Sequence, residues 1–137
     1  MSTSDEIVRI VLTHYPSSQA IYLFGSYGTP DEWKDSDVDV AVLLPPGEAR
    51  EQGQLMLTSC HYALAEALGK SVDLVNAREV STVFQKELIG FGRRLHAANE
   101  EAAAEFEMLT LSYYQKLNEE RAAILADALA GGRFYEV

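Results

Sequence analysis

The sequence predicts an α/β (α+β) fold in which a small mixed sheet is flanked by helices and followed by a long C-terminal helix. Three observations predict it. Short apolar runs bounded by glycine or proline alternate with segments of helical periodicity, which is typical of helices packed on one sheet. The chain has 137 residues, which is enough for one hydrophobic core. Its last third is rich in alanine and has helical spacing.

The first predicted element is a helix over residues 3–14. Thr3 and Glu6 have the spacing of a capping box, in which each side chain binds a backbone amide at the start of the helix. Apolar residues then recur on one face, as in a helix packed against a core: Ile7, Ile10 and Val11. Residues 15–18, Tyr-Pro-Ser-Ser, end the helix because they favour a turn.

Three short apolar runs predict the strands of the sheet. Residues 20–24 form the first run and end at Gly25. Residues 38–44 form the second, and a Pro-Pro-Gly segment at 45–47 stops it. Residues 72–75 form the third. The runs have the length of buried strands, since strands of globular proteins usually span about 3–10 residues.

Three further helices complete the predicted order. Residues 55–68 form one, and Gly69 suits the left-handed position that ends many helices. Residues 81–89 form a short one that ends near Gly90. Residues 100–130 form the long C-terminal helix, which two glycines close.

Composition and charge restrict the classes of function. Hydrophobic residues make up 47% and charged residues 23% of the chain, a balance typical of folded soluble domains. Eleven basic and 21 acidic residues give a net charge of −10. This argues against a protein that grips nucleic acid through its phosphates, because that binding depends on Lys and Arg. The charge suits a protein that binds metal cations or a basic partner.

The compartment follows from cysteine count and hydropathy. Cys60 is the only cysteine, so no intramolecular disulfide and no cysteine-based zinc site is expected, and we expect a buried helix position for it. No run of about 18 apolar residues is present, which argues against a membrane-spanning helix. The first six residues are polar and acidic, unlike a signal peptide. These observations predict a cytoplasmic protein.

The segment richest in chemistry joins the first two predicted strands. It consists of Gly25-Ser26, ten further residues, and then Asp37-Val38-Asp39. Side chains at i and i+2 of a strand point to the same face, so Asp37 and Asp39 project together, roughly 6.6–7 Å apart. Two carboxylates this close repel each other unless a cation lies between them. Mg²⁺ fits between these carboxylates, because it prefers oxygen ligands and completes its coordination shell with water and with the phosphate oxygens of a substrate.

Gly25-Ser26 and Asp73 extend this pattern. A glycine just after a strand lets the backbone approach a ligand, and amides with a hydroxyl at a helix start can hold phosphate oxygens. Asp73 is the third acid set within an apolar strand, where an unpaired charge is costly. A phosphate site beside paired carboxylates suits metal-assisted nucleotidyl transfer.

The pattern G-S-x(10)-D-x-D with a later strand aspartate resembles the DNA polymerase β-like nucleotidyltransferase superfamily. The short chain resembles its minimal nucleotidyltransferase (MNT) branch, whose members often act as antitoxins paired with a HEPN-domain RNase toxin. The resemblance covers residues 5–95 or thereabouts. Many relatives carry an arginine soon after the Gly-Ser, whereas here residues 27–30 read Tyr-Gly-Thr-Pro and Lys34 is the only cation between Ser26 and Asp37.

The resemblance implies a sheet of the polymerase β type and a set of roles. Asp37 and Asp39 would hold two Mg²⁺ ions. Asp73 would bind the catalytic metal and help to deprotonate the attacking hydroxyl. Gly25 and Ser26 would bind the β- and γ-phosphates of ATP.

By the same resemblance the protein is the antitoxin of a type VII-like HEPN/MNT pair. It would transfer AMP to a tyrosine of the toxin and so neutralise it, with residues 1–98 as the nucleotidyltransferase core. Two alternatives stay open: an antitoxin that masks the toxin by binding alone, and a nucleotidyltransferase that acts on small molecules.

Several residues also have simpler interpretations. Asp73 could form a structural salt bridge with Arg93 or Arg94, and Asp35 is expected to be merely solvated. Trp33 could stack on a base, face a partner or simply pack. The histidines show no ligand spacing, so no catalytic role is predicted for them: His14, His61 and His96.

Residues 99–137 carry a separate signal. A helix over residues 100–130 would be about 46 Å long, whereas a globule of this size is about 36 Å across. Six residues trace one face at helical spacing: Phe106, Leu109, Tyr113, Leu117, Ile124 and Ala128. The overhang could be a bend packed on the core, but we favour a surface that binds the partner, with Phe134 and Tyr135 extending it.

Overall fold

The computed structural model describes residues 2–24 and 37–131, and the side chains up to Leu129. These residues form nine elements, in chain order α1 (Thr3–His14), β1 (Ala20–Phe24), β2 (Val38–Leu43), α2 (Pro46–Gln52), α3 (Ser59–Leu68), β3 (Val72–Asn76), α4 (Thr82–Phe91), β4 (Arg93–Ala97) and α5 (Glu100–Gly131). No helix in this part of the chain is both long enough and apolar enough to cross a bilayer.

The four strands form one mixed sheet in the order β3-β2-β1-β4. β1 runs antiparallel to both of its neighbours, whereas β2 and β3 are parallel. The parallel pair needs a crossover connection, and α2 with α3 provides it. The predicted mixed sheet with flanking helices and a long last helix is therefore confirmed.

Each face of the sheet buries its own apolar layer. One layer packs under α1 and α3 and includes Ile7, Val11, Ile21, Leu64 and Leu74. The other packs under α4 and α5 and includes Tyr22, Leu43, Leu88, Ala103 and Phe106. Alternate residues of β2 face opposite layers, as the strand repeat of two requires.

Two predicted boundaries at the β2–α3 connection are wrong. The Pro-Pro-Gly segment that was expected only to stop a strand also begins α2, because proline fits the first turn of a helix. The next helix begins at Ser59 and not at residue 55. Leu57 has a φ of 65°, outside the helical region, and the Thr58 hydroxyl accepts a hydrogen bond from the His61 amide as a new N-cap.

The N-terminal cap and the strand β4 also differ from expectation. The capping box is formed by Ser2 and Asp5, one residue before the predicted pair. The sequence of residues 93–97 predicts no strand, since Arg-Arg-Leu-His-Ala shows neither an apolar run nor a regular alternation. This segment pairs with β1 at the sheet edge, where its first two side chains face solvent. Two other predictions are confirmed. Gly69 ends α3 in the left-handed conformation, and Cys60 is buried in α3.

The first half of α5 anchors the helix, mainly against α4. Ala103, Phe106 and Thr110 are buried, and the Lys86 ammonium of α4 lies over the Tyr114 ring, 5.2 Å from its centroid. The Tyr22 hydroxyl donates a hydrogen bond of 2.9 Å to Glu107, and Arg94 forms ion pairs with Glu100 and Glu107 at 3.2 and 3.3 Å. At about 1.5 Å per residue, its 32 residues span about 48 Å.

The outer half of α5 does not fold back onto the described core. The side chains of Ile124, Leu125 and Leu129 are 70%, 50% and 59% exposed. A bend packed on the same domain, the simpler of the two alternatives, would have buried them. The expected overhang is therefore present in the structure.

Candidate active site

Asp39 and Asp73 lie side by side on the two parallel strands. Asp39 is in β2 and Asp73 in β3, and the sheet register pairs them directly. On its other side Asp39 is paired with Phe24, the last residue of β1. Phe24, Asp39 and Asp73 thus form a row across three adjacent strands, with Asp39 in the centre.

Asp37 lies just before β2 and faces the same side of the sheet as Asp39. Val38, between them, is fully buried in the layer under α1 and α3, so both aspartates face the other side. Ala41 and Leu43 of β2 face this side as well, and both pack in the layer under α4 and α5. Asp37 and Asp73 are exposed and Asp39 is half-buried.

The electrostatics show that the three carboxylates interact. Burial, and then the negative charges of Asp73 and Asp37, raise the pKa of Asp39 from 3.8 to about 6. A hydrogen bond with Asp73 acts in the same direction. Such a site binds a proton more tightly than an isolated aspartate, and a divalent cation relieves the same repulsion.

The donor set fits Mg²⁺ shared with a substrate. Within residues 2–24 and 37–131, no three His, Cys, Asp or Glu side chains converge closely enough to hold a metal ion by themselves. Mg²⁺ is commonly bound by only one or two carboxylates, with waters and substrate phosphates completing its shell. The row of carboxylates is open toward solvent at Asp37 and Asp73, which leaves room for those further ligands.

A salt bridge of Asp73 with Arg93 or Arg94 does not form. Both arginines lie on β4, three strand spacings from β3, or about 14 Å across the sheet. Arg94 is paired with Glu100 and Glu107 instead. The structural alternative for Asp73 is therefore wrong.

The phosphate-binding half of the predicted site lies outside the described residues. This applies to Gly25 and Ser26, and also to Trp33, Lys34 and Asp35. The structure does describe Phe24, the residue before Gly25. Phe24 is the last residue of β1 and is paired with Asp39. Phe24 packs edge-on against Phe84 of α4, with ring centroids 5.4 Å apart.

The three histidines lie in the helices α1 and α3 and in the strand β4. His14 contacts the Ile10 carbonyl within α1 at 3.0 Å. His61 bridges the Leu57 amide and the Val72 carbonyl, and His96 lies in β4 opposite Ile21. One feature beside the carboxylates has no signal in the sequence: a groove along the outer edge of β3. Its walls come from separate loops that share no motif.

The pKa of Asp39 predicts a pH dependence of stability in the metal-free protein. Because folding raises this pKa from 3.8 to about 6, the proton on Asp39 stabilises the folded state at low pH, and that stabilisation is lost as the pH rises through 6. In EDTA, we expect the wild type to lose more free energy of unfolding between pH 5 and pH 7.5 than Asp39→Asn does. Urea denaturation at both pH values measures this, and equal losses would contradict the coupling.

The comparisons with known proteins agree with this geometry. The family described as "Polymerase beta, Nucleotidyltransferase" matches residues 6–101. Protein adenylyltransferase MntA of Shewanella oneidensis is 34% identical over 126 residues, which cover 92% of this chain and 87% of that protein.

Two solved structures are also similar. One is a toxin–antitoxin complex with AMP-PNP, of which a chain matches with a TM-score of 0.70 and 33% identity over 92% of this chain and 98% of its own length. The other is a complex of tri-AMPylated Shewanella oneidensis HEPN toxin with MNT antitoxin, with a TM-score of 0.67 and 33% identity over 93% of this chain and 96% of the matched chain.

Proposed function

Because the chain belongs to the polymerase β nucleotidyltransferase family, in its minimal nucleotidyltransferase branch, we propose that it is a protein adenylyltransferase that acts as an antitoxin. It transfers AMP from ATP to a tyrosine of a HEPN-domain toxin and thereby neutralises the toxin. The observation that carries this proposal is the direct pairing of Asp39 with Asp73, with Asp37 on the same face. The relatives with an adenylyltransferase name and an AMPylated toxin partner support the choice of nucleotide and acceptor.

Each carboxylate has a role in this reaction. Asp37 and Asp39 would hold two Mg²⁺ ions, with Asp73 as a further ligand of one of them, and Gly25 and Ser26 would bind the β- and γ-phosphates. Bound Mg²⁺ supplies positive charge that offsets the charge on the triphosphate. Asp73 accepts the proton of the tyrosine hydroxyl.

The chemical step is a displacement at the α-phosphorus of ATP. The tyrosine oxygen forms a bond to this phosphorus, and the bond from the phosphorus to the oxygen bridging toward the β-phosphate breaks. The electron pair of that bond leaves with pyrophosphate. The product is a tyrosine that carries AMP through a phosphodiester, so the toxin side chain loses its hydroxyl and gains a negative charge.

The outer half of α5 is the part of the chain we assign to toxin docking. The apolar face that buries Phe106 in the core continues past the core through Tyr113 and Ile124, which are exposed. Large exposed apolar surfaces of this kind mark binding sites. In this proposal residues 1–98 carry the chemistry and residues 99–137 carry the docking surface.

Peptide mass spectrometry of the toxin tests the proposal. The cognate HEPN toxin is incubated with this protein, ATP and Mg²⁺, and then digested. We expect a mass increase of one or more AMP groups located on tyrosine. An unmodified toxin that is nevertheless inhibited would favour masking by binding. Transfer to an added small-molecule alcohol, with none to the toxin, would favour a nucleotidyltransferase that acts on small molecules.

Binding of Mg²⁺–ATP is expected to stabilise the fold. A ligand that binds only the folded state adds RT ln(1 + [L]/Kd), which is about 2.7 kcal/mol at a hundredfold excess over Kd. Thermal denaturation with and without saturating Mg²⁺–ATP measures the gain. The Asp39→Asn variant serves as the control and should gain much less. An unchanged melting temperature of the wild type, where calorimetry independently shows binding, would contradict the prediction.

A further inference from the structure

A groove of about 540 Å³ runs along the outer edge of β3 and reaches Asp73. One wall is the connection between α2 and α3, and the other is β3 with the turn that follows it. Its lining residues include Gln54, Met56, Asp73, Leu74, Asn76 and Glu79. Of the residues that line this groove, the roles given above to the three carboxylates and to α5 use only Asp73.

Side chains cover the outer edge of β3, both in this groove and in the neighbouring cavity that His61 and Val72 line. β3 is an outer strand of the four that the structure describes. His61 Nδ1 accepts from the Leu57 amide, so its Nε2 carries the proton and donates to the Val72 carbonyl at 2.8 Å. The Leu74 amide faces the Met56 sulfur at 3.3 Å. A thioether is a weak acceptor on a flexible side chain, so a carbonyl of an incoming extended segment can replace it.

Asn76, at the far end of the groove, is also incompletely satisfied. Its Nδ2 donates to the carbonyls of Ala49 and Gly53 at 2.9 and 2.8 Å. Its Oδ1 is buried and has no hydrogen-bond partner, the one such side-chain atom found within the described ranges. Asn76 is only 3% exposed. Buried polar atoms are normally paired, so an unpaired one in a groove wall points to a donor supplied by a bound molecule.

The order of Phe24, Asp39 and Asp73 across the sheet indicates which bound molecule supplies this donor. Phe24, the last described residue before the Gly25-Ser26 pair predicted to bind phosphates, is paired with Asp39 on one side, and the groove lies beside Asp73 on the other. In an in-line displacement the attacking and leaving oxygens are on opposite sides of the phosphorus. If pyrophosphate leaves on the β1 side, the attacking hydroxyl must arrive from the β3 side.

We propose that the groove along β3 binds the toxin segment that carries the acceptor tyrosine, in an extended conformation, with the tyrosine hydroxyl at Asp73. This inference rests on the proposed function and adds the acceptor subsite to it. The segment binds as an added strand, a mode in which main-chain hydrogen bonds give affinity and side-chain pockets give specificity. Asp73 and the exposed Glu79 make the groove acidic, so basic residues beside the tyrosine are favoured.

Gln54 and Gln52 provide a matched pair of test positions. Both are exposed glutamines two residues apart, but only Gln54 lines the groove. Gln54→Trp places a large ring in the groove and leaves the core untouched. We expect it to lower kcat/KM for the toxin by about tenfold or more, mainly through KM, with the affinity for Mg²⁺–ATP unchanged. Gln52→Trp should behave like the wild type.

Photo-crosslinking identifies the occupant of the groove directly. A benzophenone amino acid is placed at position 54 or, as the control, at position 52, and the complex with the toxin is irradiated and digested. We expect position 54 to crosslink to the peptide that contains the AMP-accepting tyrosine, and position 52 not to do so.

Three results would overturn the inference in distinguishable ways. If Gln54→Trp weakens Mg²⁺–ATP binding instead of acceptor use, the groove holds the nucleotide. If crosslinks from position 54 map to a distant toxin segment while the wild type transfers AMP, the acceptor enters elsewhere and the proposed function stands. If the wild type transfers no AMP to the toxin at all, the proposed function is wrong and the acceptor subsite is rejected with it.

Discussion

Asp39→Asn and Asp73→Asn are each expected to reduce AMP transfer by about 10²–10³-fold or more, because the first removes a negative charge that would hold Mg²⁺ and the second removes the acceptor of the hydroxyl proton. Asparagine has almost the volume of aspartate but cannot offset a cation or accept the hydroxyl proton. Asp39 is paired with Asp73 and its own charge is disfavoured there, so the fold does not depend on it. Initial rates of AMP transfer at saturating ATP measure the effect.

Glu66→Gln is the matched control for these variants. Glu66 is an exposed carboxylate on α3, which covers the face of the sheet opposite to Asp39. It should keep the wild-type rate. The circular dichroism spectrum of each Asn variant should match that of the wild type. Folded Asn variants that keep more than about a tenth of the wild-type rate would be incompatible with the roles given to these carboxylates.

The second large effect is expected at the outer half of α5. Replacing Ile124 and Leu125 with glutamine should weaken toxin binding by about tenfold or more, because apolar anchors at the centre of an interface contribute most of its affinity. Both side chains are at least half exposed in the structure, and glutamine favours helices about as well as leucine, so the isolated protein should stay folded. Calorimetry with the toxin measures the affinity, and Mg²⁺–ATP binding should be unchanged.

Tyr62→Gln serves as the control for this variant. Tyr62 is a large exposed side chain of α3, 56% accessible and far along the chain from α5. It should bind the toxin like the wild type. An Ile124→Gln, Leu125→Gln double variant with unchanged affinity would show that the toxin docks elsewhere, and α5 would then have no assigned role beyond its anchored first half.

Elements with a strong local signal were predicted from the sequence. α1 and β1 have the predicted bounds, since one shows a clear apolar face between two breaks and the other is a buried run ended by glycine. β4 gave no such signal, because its pairing with β1 depends on a partner 70 or so residues earlier in the chain. α2 was missed because proline both ends a strand and begins a helix, and only the fold decides between them.

The candidate site was predictable only in part, because it too combines a local pattern with contacts between segments that are distant in the sequence. The spacing of Asp37 and Asp39 gives their shared face directly, since the strand repeat is two residues. That Asp73 lies beside Asp39 depends on the parallel register of β2 and β3, which no local pattern reports. The groove is still less predictable, because it joins the α2–α3 connection to β3 through hydrogen bonds of Asn76 with Ala49 and Gly53.

In the proposed reaction this chain moves the α-phosphoryl group of ATP, with its nucleoside, onto the toxin. Parallel reactions with ATP labelled in the α- or the γ-phosphate, each with Mg²⁺ and the cognate toxin, show which phosphoryl group is transferred. We expect toxin labelled from the α-phosphate alone, with pyrophosphate released and no labelling in EDTA or with Asp39→Asn. Label arriving from the γ-phosphate, or no label from either position in a complex that binds ATP, would contradict it.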